Sequence, residues 1–255
     1  MVNELLEVIG ATKINNFGSK MIITEYRKYS DIDVYFPEYD WTAKHVQCGN
    51  FKNGKIKCPY ESRYYKVGYL GEGKYKVSEN RKITKVFDTW DSMLQRCYDS
   101  KCKEKYPTYK DCKVCEEWLN FQNFAQWYEE NYYEIPGEKM NLDKDILYKG
   151  NKIYSPETCV FVPQSINKLF IKSNISRGNY PIGVFYNKKR KKYHSQCNVK
   201  GKHKHLGYYD TPEEAFQVYK QFKENYIKQI ANQYMDLIPQ SLYNAMINYE
   251  VEEDD

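Results

Sequence analysis

The sequence predicts an α+β chain built from several small parts, and three features carry that prediction. Short strand-like runs broken by turn residues fill the N-terminal third. Two apolar patterns of helical spacing then precede a strand–turn–strand pattern. Finally, alternating residues between 182 and 209 lead into a well-capped helix. The expected divisions are a β-rich part at 1–83, a middle part at 84–172, a three-stranded sheet on one helix at 178–235, and a short helix with an acidic tail at 236–255. A chain of 255 residues has room for two or three such domains.

In the first part, Met21-Ile22-Ile23 and Ile32-Asp33-Val34-Tyr35-Phe36 read as strands. Asn53-Gly54, between Phe51 and Ile56, predicts a hairpin turn, and residues 70–77 a further hairpin. Together they read as a small barrel or curled sheet. His45 and Cys48 stand three apart with no second pair of ligands near them, so the pair is read as fortuitous.

In the middle part, Phe87, Trp90, Met93, Leu94 and Cys97 fall on one helical face after a candidate N-cap at Asp88. A second helical run passes through Trp118, Leu119, Phe121, Phe124, Ala125, Trp127 and Tyr128. There follow Asn141-Leu142-Asp143-Lys144-Asp145-Ile146-Leu147, the turn Lys149-Gly150-Asn151-Lys152, the apolar run Cys159-Val160-Phe161-Val162, and Ile166-Asn167.

The last large part holds the strongest signal. Ile182, Val184 and Tyr186 alternate with Gly183 and Phe185, and further strands are expected from Tyr193 to residue 199 and from His203 to residue 209. Thr211 as N-cap, Pro212 at the first helical position and Glu214 closing a capping box start a helix carrying Ala215, Val218, Tyr219, Phe222, Tyr226 and Ile230 at helical spacing. Between Lys168 and Tyr209 there are eleven Lys or Arg and no Asp or Glu, whereas the rest of the chain holds 28 basic residues against 34 acidic ones. Concentrated charge interleaved with Tyr, His, Asn and Gln is the footprint expected for a phosphate backbone. A solvated loop is the bland alternative. A ribbon of two or three strands suits the width of the DNA major groove.

The succession Gly183-Val184, a basic turn, Lys192-Tyr193, then Leu206-Gly207-Tyr208-Tyr209-Asp210-Thr211-Pro212-Glu213-Glu214-Ala215 and Tyr219 resembles the ethylene-response-factor (APETALA) type of DNA-binding domain over roughly residues 179–234. That family reads DNA with its sheet, through Arg and Trp side chains; here Tyr193 and His205 stand where tryptophans are usual. The resemblance implies a DNA-binding set of Lys188, Lys189, Arg190, Lys191, Lys192, Tyr193, Gln196, Lys200, Lys202, His203, Lys204 and His205. Phage and mobile-element proteins carry similar domains beside nuclease modules.

The middle part in turn resembles the HNH family of homing-type endonucleases, whose site is a β-hairpin followed by a helix gripping one divalent metal. Leu142-Asp143-Lys144-Asp145 matches the first element, the run from Ser155 through Val162 resembles the second, and Asn167 stands at the final ligand. The resemblance implies an HNH-like ββα middle domain with catalytic positions Asp143, Lys144, Asp145 and Asn167. The family's general base is a His, whose imidazole can take a proton near neutrality. Lys144 occupies that position, and an ordinary Lys amine, with a pKa of about 10, is protonated at pH 7. Two readings stay open. In one the fold is a DNA-docking platform with Lys144 on a phosphate. In the other Asp143 or Asp145 with Asn167 holds Mg²⁺, which itself activates water. A third takes Asp143 and Asp145 as turn residues.

No run of eighteen apolar residues is present, and the start lacks a basic region before a long apolar one, so a cytoplasmic location is expected, that of the host cell for a phage-encoded chain. The eight cysteines then read as thiols or metal ligands rather than disulfides. Cys97, Cys112, Cys115 and Cys159 are candidate ligands of a structural Zn²⁺, the alternative being buried thiols. The acidic end, 250–255, is expected to be a disordered tail that competes weakly with DNA for the basic stripe. The function expected is binding of double-stranded DNA, with no cofactor needed, by a phage or mobile-element protein whose nuclease-like domain lacks the catalytic His. The alternatives are a metal-dependent HNH-type homing endonuclease and a module whose basic face meets an acidic protein, such as a DNA mimic or host-defence protein.

Overall fold

The computed structural model describes residues 8–171 and 180–253. The chain is mixed α/β and divides into two compact units, one taking residues up to 130 with 152–155, the other 131–151 with the rest of the chain from 156. The division cuts the 84–172 stretch, giving its two helices to the first unit and its hairpin to the second.

In the first unit β1 (Thr12–Ile14), β2 (Lys20–Lys28), β3 (Asp31–Phe36) and β4 (Trp41–Val46) form an antiparallel meander in sequence order. Met21, Ile23, Ile32, Val34, Phe36 and Ala43 point into a core completed by Cys48, Phe51, Ile56 and Cys58. Register shifts between Ile23 and Glu25 and between Tyr26 and Lys28 bend the sheet, as bulges do. The turn expected at Asn53-Gly54 is instead a helix end. α1 (Cys48–Lys52) fills the stretch, Asn53 is its C-cap, and Gly54 follows at φ 65°, the left-handed position that closes helices. Burial of Cys48 and Phe51 on one helical turn outweighs the turn preference of Asn-Gly. The second expected hairpin lies further along, in β5 (Ser78–Glu79) and β6 (Lys82–Ile83), joined by Asn80 and Arg81, both at positive φ. Residues 70–77 cannot pair with one another because the chain there is committed elsewhere: Tyr69 bridges Asn120, and the Gln122 side chain both accepts from the Tyr75 amide and donates to the Tyr75 carbonyl.

α2 (Lys85–Tyr98) begins earlier than Asp88 suggests. Thr84 is its N-cap, accepting from the Phe87 amide, and Asp88 sits in the first turn, where its charge favours the helix dipole. The predicted face of Phe87, Trp90, Met93, Leu94 and Cys97 is buried. α3 (Ser100–Lys105) and β7 (Lys113–Val114) lead to α4 (Phe121–Asn131). Trp90 packs against Tyr64, Phe87 and Phe121 and donates its indole N–H to the Trp118 carbonyl at 2.7 Å, so its one polar atom is satisfied inside the core.

In the second unit β8 (Met140–Asp143) pairs antiparallel with β10 (Val160–Pro163). The connection between them includes β9 (Ile153–Tyr154), which belongs to the first unit and lies parallel to β7. The four-residue helix α5 (Gln164–Asn167) follows β10 directly. Next come β11 (Val184–Asn187), β12 (Lys192–Val199) and β13 (Lys202–Tyr209), an antiparallel meander in that order. α6 (Pro212–Tyr234) starts where the sequence predicts: Thr211 accepts from the Glu214 amide, and the Glu214 carboxylate accepts from the Asp210 amide. α7 (Gln240–Ile247) follows Pro239. Gly183 is a position only glycine fits, since a Cβ there would lie 2.1 Å from the Tyr219 ring.

α6 serves two cores. Ala215, Phe216 and Tyr219 pack with Val184 and Cys197 under the sheet, whereas Tyr226, Ile227, Ile230 and Ala231 pack with Ile146, Val160, Val162 and Ile166 under the hairpin. The acidic end is docked through residue 253, not disordered. Val251 is 3% exposed within the sheet's core, its carbonyl accepts from Lys220, and its amide donates to Glu224. Glu252 pairs with Lys149 at 2.8 Å, and the Glu253 carbonyl accepts from the Ile182 amide. One apolar side chain thus anchors a stretch whose composition otherwise favours water. Residues 254 and 255 lie outside the described residues. No helix among the described residues is long and apolar enough to cross a membrane.

Val251→Asp places a carboxylate in that core. Urea denaturation is expected to show a loss of about 2 kcal/mol or more, from lost burial and charge desolvation together.

Candidate nucleic-acid interface

With α6 covering one face of the β11–β13 sheet, strand register assigns every side chain on the other. Phe185 pairs with His194, and His194 with Tyr208; Gln196 pairs with His205, and Asn198 with His203. These residues share the face away from Val184, Cys197 and α6. The rings form a connected set: Phe185 stacks on His194 at 5.3 Å, and His205 lies 4.6 Å from Tyr208 and 5.9 Å from His194. The Arg190 guanidinium lies 4.6 Å from the Tyr208 ring centre, in cation–π contact. His194 Nε2 sits 3.4 Å from Gln196 Oε1, while its buried Nδ1 has no hydrogen-bond partner.

A bulge makes this face. Ser195 pairs with Gly207 but Gln196 with His205, which leaves Leu206 as an extra residue in β13. His205 and Tyr208 are three apart and would face opposite ways in a regular strand. The extra residue turns Leu206 inward, against the core, and brings both rings to the outer face. Gly207, at φ 138°, permits the bend, because a Cβ there would lie 2.5 Å from the Tyr209 hydroxyl.

The turns display the charge. Asn187 Oδ1 accepts from the Lys189 and Arg190 amides, both at 3.1 Å, which fixes the loop carrying Lys188, Lys189, Arg190 and Lys191. Lys200 and Gly201, both at positive φ, form the two-residue β12–β13 turn, tied by Asn198 accepting from the Gly201 amide. Of the residues implied by the sequence, Gln196, His203 and His205 lie on the outer face. Lys192 lies at its end, paired with Asp210 at 3.0 Å. Tyr193 lies on the helix side, against Tyr180 and Tyr186. Lys202 and Lys204 also pair with helix-side residues, and Lys204 sits 4.7 Å from the Phe222 ring centre. Phe185, His194, Asn198 and Tyr208 share the outer face but are absent from the implied set; cross-strand pairing could have found the first three, whereas Tyr208 and His205 need the bulge. Lys172 and Arg177 of the basic window lie outside the described residues.

The β8–β10 hairpin is a second cluster. Asp143 ends β8 opposite Val160, and its Oδ1 accepts from the Asp145 and Ile146 amides at 2.9 and 2.8 Å. Burial, and then the charge of Asp145, push its carboxyl up to about 6. Lys144 is buried, with Nζ 3.3 Å from Asp145, and its carbonyl accepts from Asn151. Asn167 ends α5. Of the four candidate zinc ligands, Cys97, Cys112 and Cys115 belong to the first unit and Cys159 to the second.

Among the described residues, Asp31, Asp33 and His45 form a group whose possible ligand atoms lie within 4.8 Å of one another. A cation already serves it: Arg27 reaches Asp31 at 2.8 Å and Asp33 at 2.9 and 3.0 Å. Its hydrogen bond holds the Asp33 carboxyl down at about 2. His45 donates its amide to Asp33 and packs its Nδ1 3.0 Å from Asp31.

The raised Asp143 value makes a testable statement about stability. The folded state holds that proton more tightly than the unfolded chain, so stability falls as pH rises from about 4 through about 6. Asp143→Asn keeps an acceptor for both amides and never ionises. Thermal melts are expected to show the variant above the parent at neutral pH, with the gap closing towards about pH 4.

Comparison with protein-family models, with curated protein sequences and with solved structures finds no match for this chain.

Proposed function

We propose that the chain binds double-stranded DNA through the outer face of the β11–β13 sheet. The observation that carries this reading is one solvent-facing surface that combines rings (Phe185, His194, His205, Tyr208), amides (Gln196, Asn198) and a cationic loop closed by Asn187. Cations in loops neutralise phosphates without reading sequence; amide, imidazole and aromatic groups on a sheet can meet base edges in the major groove. The order of three strands followed by one covering helix is the arrangement implied by the resemblance to the ethylene-response-factor (APETALA) domain. The HNH reading is supported by the antiparallel pairing of β8 with β10, by α5 next in the chain, and by Asp143 at the end of β8 and Asn167 at the end of α5. Lys144 in place of the His makes that module a docking element in this reading. DNA binding is then the activity and no cofactor is required.

One observation favours a second reading, metal-dependent cleavage. Asp143 is crowded by Asp145, and a divalent cation would relieve that repulsion beyond what the Lys144 ammonium, 3.3 Å from Asp145, already does.

Fluorescence anisotropy on duplex DNA across a salt series, with and without Mg²⁺, separates the two when strand integrity is followed in the same samples. The expected result is tight binding that weakens steeply with salt, with intact strands throughout. Arg190→Ala should reduce the salt slope by about 1 and Tyr208→Ala should weaken binding at every salt concentration. Binding that is absent or indifferent to salt sinks the DNA reading. Cutting that needs Mg²⁺ and disappears in Asp143→Ala establishes the nuclease.

A further inference from the structure

The first unit carries a surface unrelated to the sheet face, at the turn between β1 and β2. Phe17 at its tip is 45% exposed. The Arg63 guanidinium lies 5.3 Å and the Lys57 ammonium 5.4 Å from its ring centre. A phenyl ring left in water on a loose loop would be unremarkable; this one stands on a buried polar base. Asn15 is 4% exposed, and its Oδ1 accepts from the Phe17 and Ser19 amides. Its Nδ2 donates to the Ile56 carbonyl and to Glu61, itself only 2% exposed. Asn16 adds two bonds, from its amide to the Gly54 carbonyl and from its side chain to the Asn53 carbonyl. Gly54 accommodates the contact, since a Cβ there would lie 2.6 Å from Asn16 Oδ1.

These bonds lay residues 53–57 along the turn. Ile56 and Cys58 point into the core, and Lys55 and Lys57 point to solvent. The nearest acid in sequence, Glu61, is committed inward: Asn15 bonds one oxygen, and Arg63 Nε stands 3.9 Å from the other. The tip therefore presents a rigid aromatic ring with a surplus of cations.

We infer that the Phe17 tip, with Lys55, Lys57 and Arg63, is a second nucleic-acid contact, in which the ring packs against a base and the ammonium groups meet the flanking phosphates. Ring and cations at one rigid point are the combination that sequence-tolerant nucleic-acid grooves use, the ring for any base face and the charge for the backbone. Charge complementarity selects the partner: the exposed part of the ring and the cations beside it match a ligand that offers both a π-face and an anion, as nucleic acid does. The inference rests on the DNA-binding reading and extends it to the first unit.

The test uses the full chain and the same salt series. Phe17→Ala is expected to weaken binding to a duplex with a single-stranded overhang about ten-fold, with the salt slope unchanged. Lys57→Gln and Lys55→Gln should each lower the slope by about 1. Thermal melts of the two Lys variants should match the parent, because those side chains lie on the surface, and Phe17→Ala should keep a cooperative melt well above the assay temperature. A photoreactive phenylalanine at position 17 should crosslink to DNA. Parent-like affinity and slope in these variants, with no crosslink, while Arg190→Ala weakens binding, overturns the inference and leaves the sheet reading standing. No DNA binding by the parent chain removes both.

Discussion

The second unit depends on how one helix is shared. α6 spans 23 residues, about 35 Å, and no single small core could cover such a length. Its first half closes the sheet through Ala215, Phe216 and Tyr219, and its second closes the hairpin through Tyr226, Ile227, Ile230 and Ala231. Phe222 and Tyr249 touch both cores, so the two are continuous. A polar lock reinforces the far end, where Tyr234 donates to Glu138 and meets Ser165 at 3.1 Å, joining the end of α6 to the start of α5. Because packed side chains transmit position faithfully, sheet and hairpin hold a fixed relation within this unit.

That covered face frees the opposite one for polar work. Gln196, Asn198, His203 and His205 stand where water, or a ligand, can satisfy them, whereas the Nδ1 of His194 stays buried without a partner. The bulge at Leu206 separates the two demands: it gives the core an extra apolar side chain and gives the outer face His205 beside Tyr208. The first unit solves a similar problem differently. There a buried Asn15–Glu61 pair fixes the β1–β2 turn, and Arg27 neutralises the acids Asp31 and Asp33 between strands.

Much of this was legible in the sequence wherever a local rule acts alone. The helix start at Thr211 needs only the capping residues, and the α2 face needs only the spacing of Phe87, Trp90, Met93, Leu94 and Cys97. The three strands followed from alternation and from the polar runs between them, whereas the ties that Asn187 and Asn198 make across those turns did not. Legibility failed where a distant contact decides. Asn53-Gly54 ends a helix because Phe51 finds a core, and residues 70–77, which follow a backbone bridge between Tyr69 and Asn120, are held at Tyr75 by the side chain of Gln122 rather than by each other. Val251 was hidden among acids, and only the three-dimensional core reveals its place. For the candidate interface, charge located the stripe, but face assignment needed register: Tyr193 and Lys204 turn towards α6, and His194 and Tyr208 turn away.

The sharing of α6 has a consequence for how such a sheet could pass between proteins. A stretch cut at 178 and 235 contains every strand and the whole helix, yet it carries Tyr226, Ile227, Ile230 and Ala231 as a bare apolar stripe. It also lacks the Val251 that seals the sheet's own core. Exposed stripes of this kind favour self-association. Recombination that moved the sheet alone would therefore yield a sticky fragment, whereas exchange of the hairpin, sheet and terminal segment together would conserve both interiors. In this chain the transferable piece is larger than the sequence pattern that identifies it.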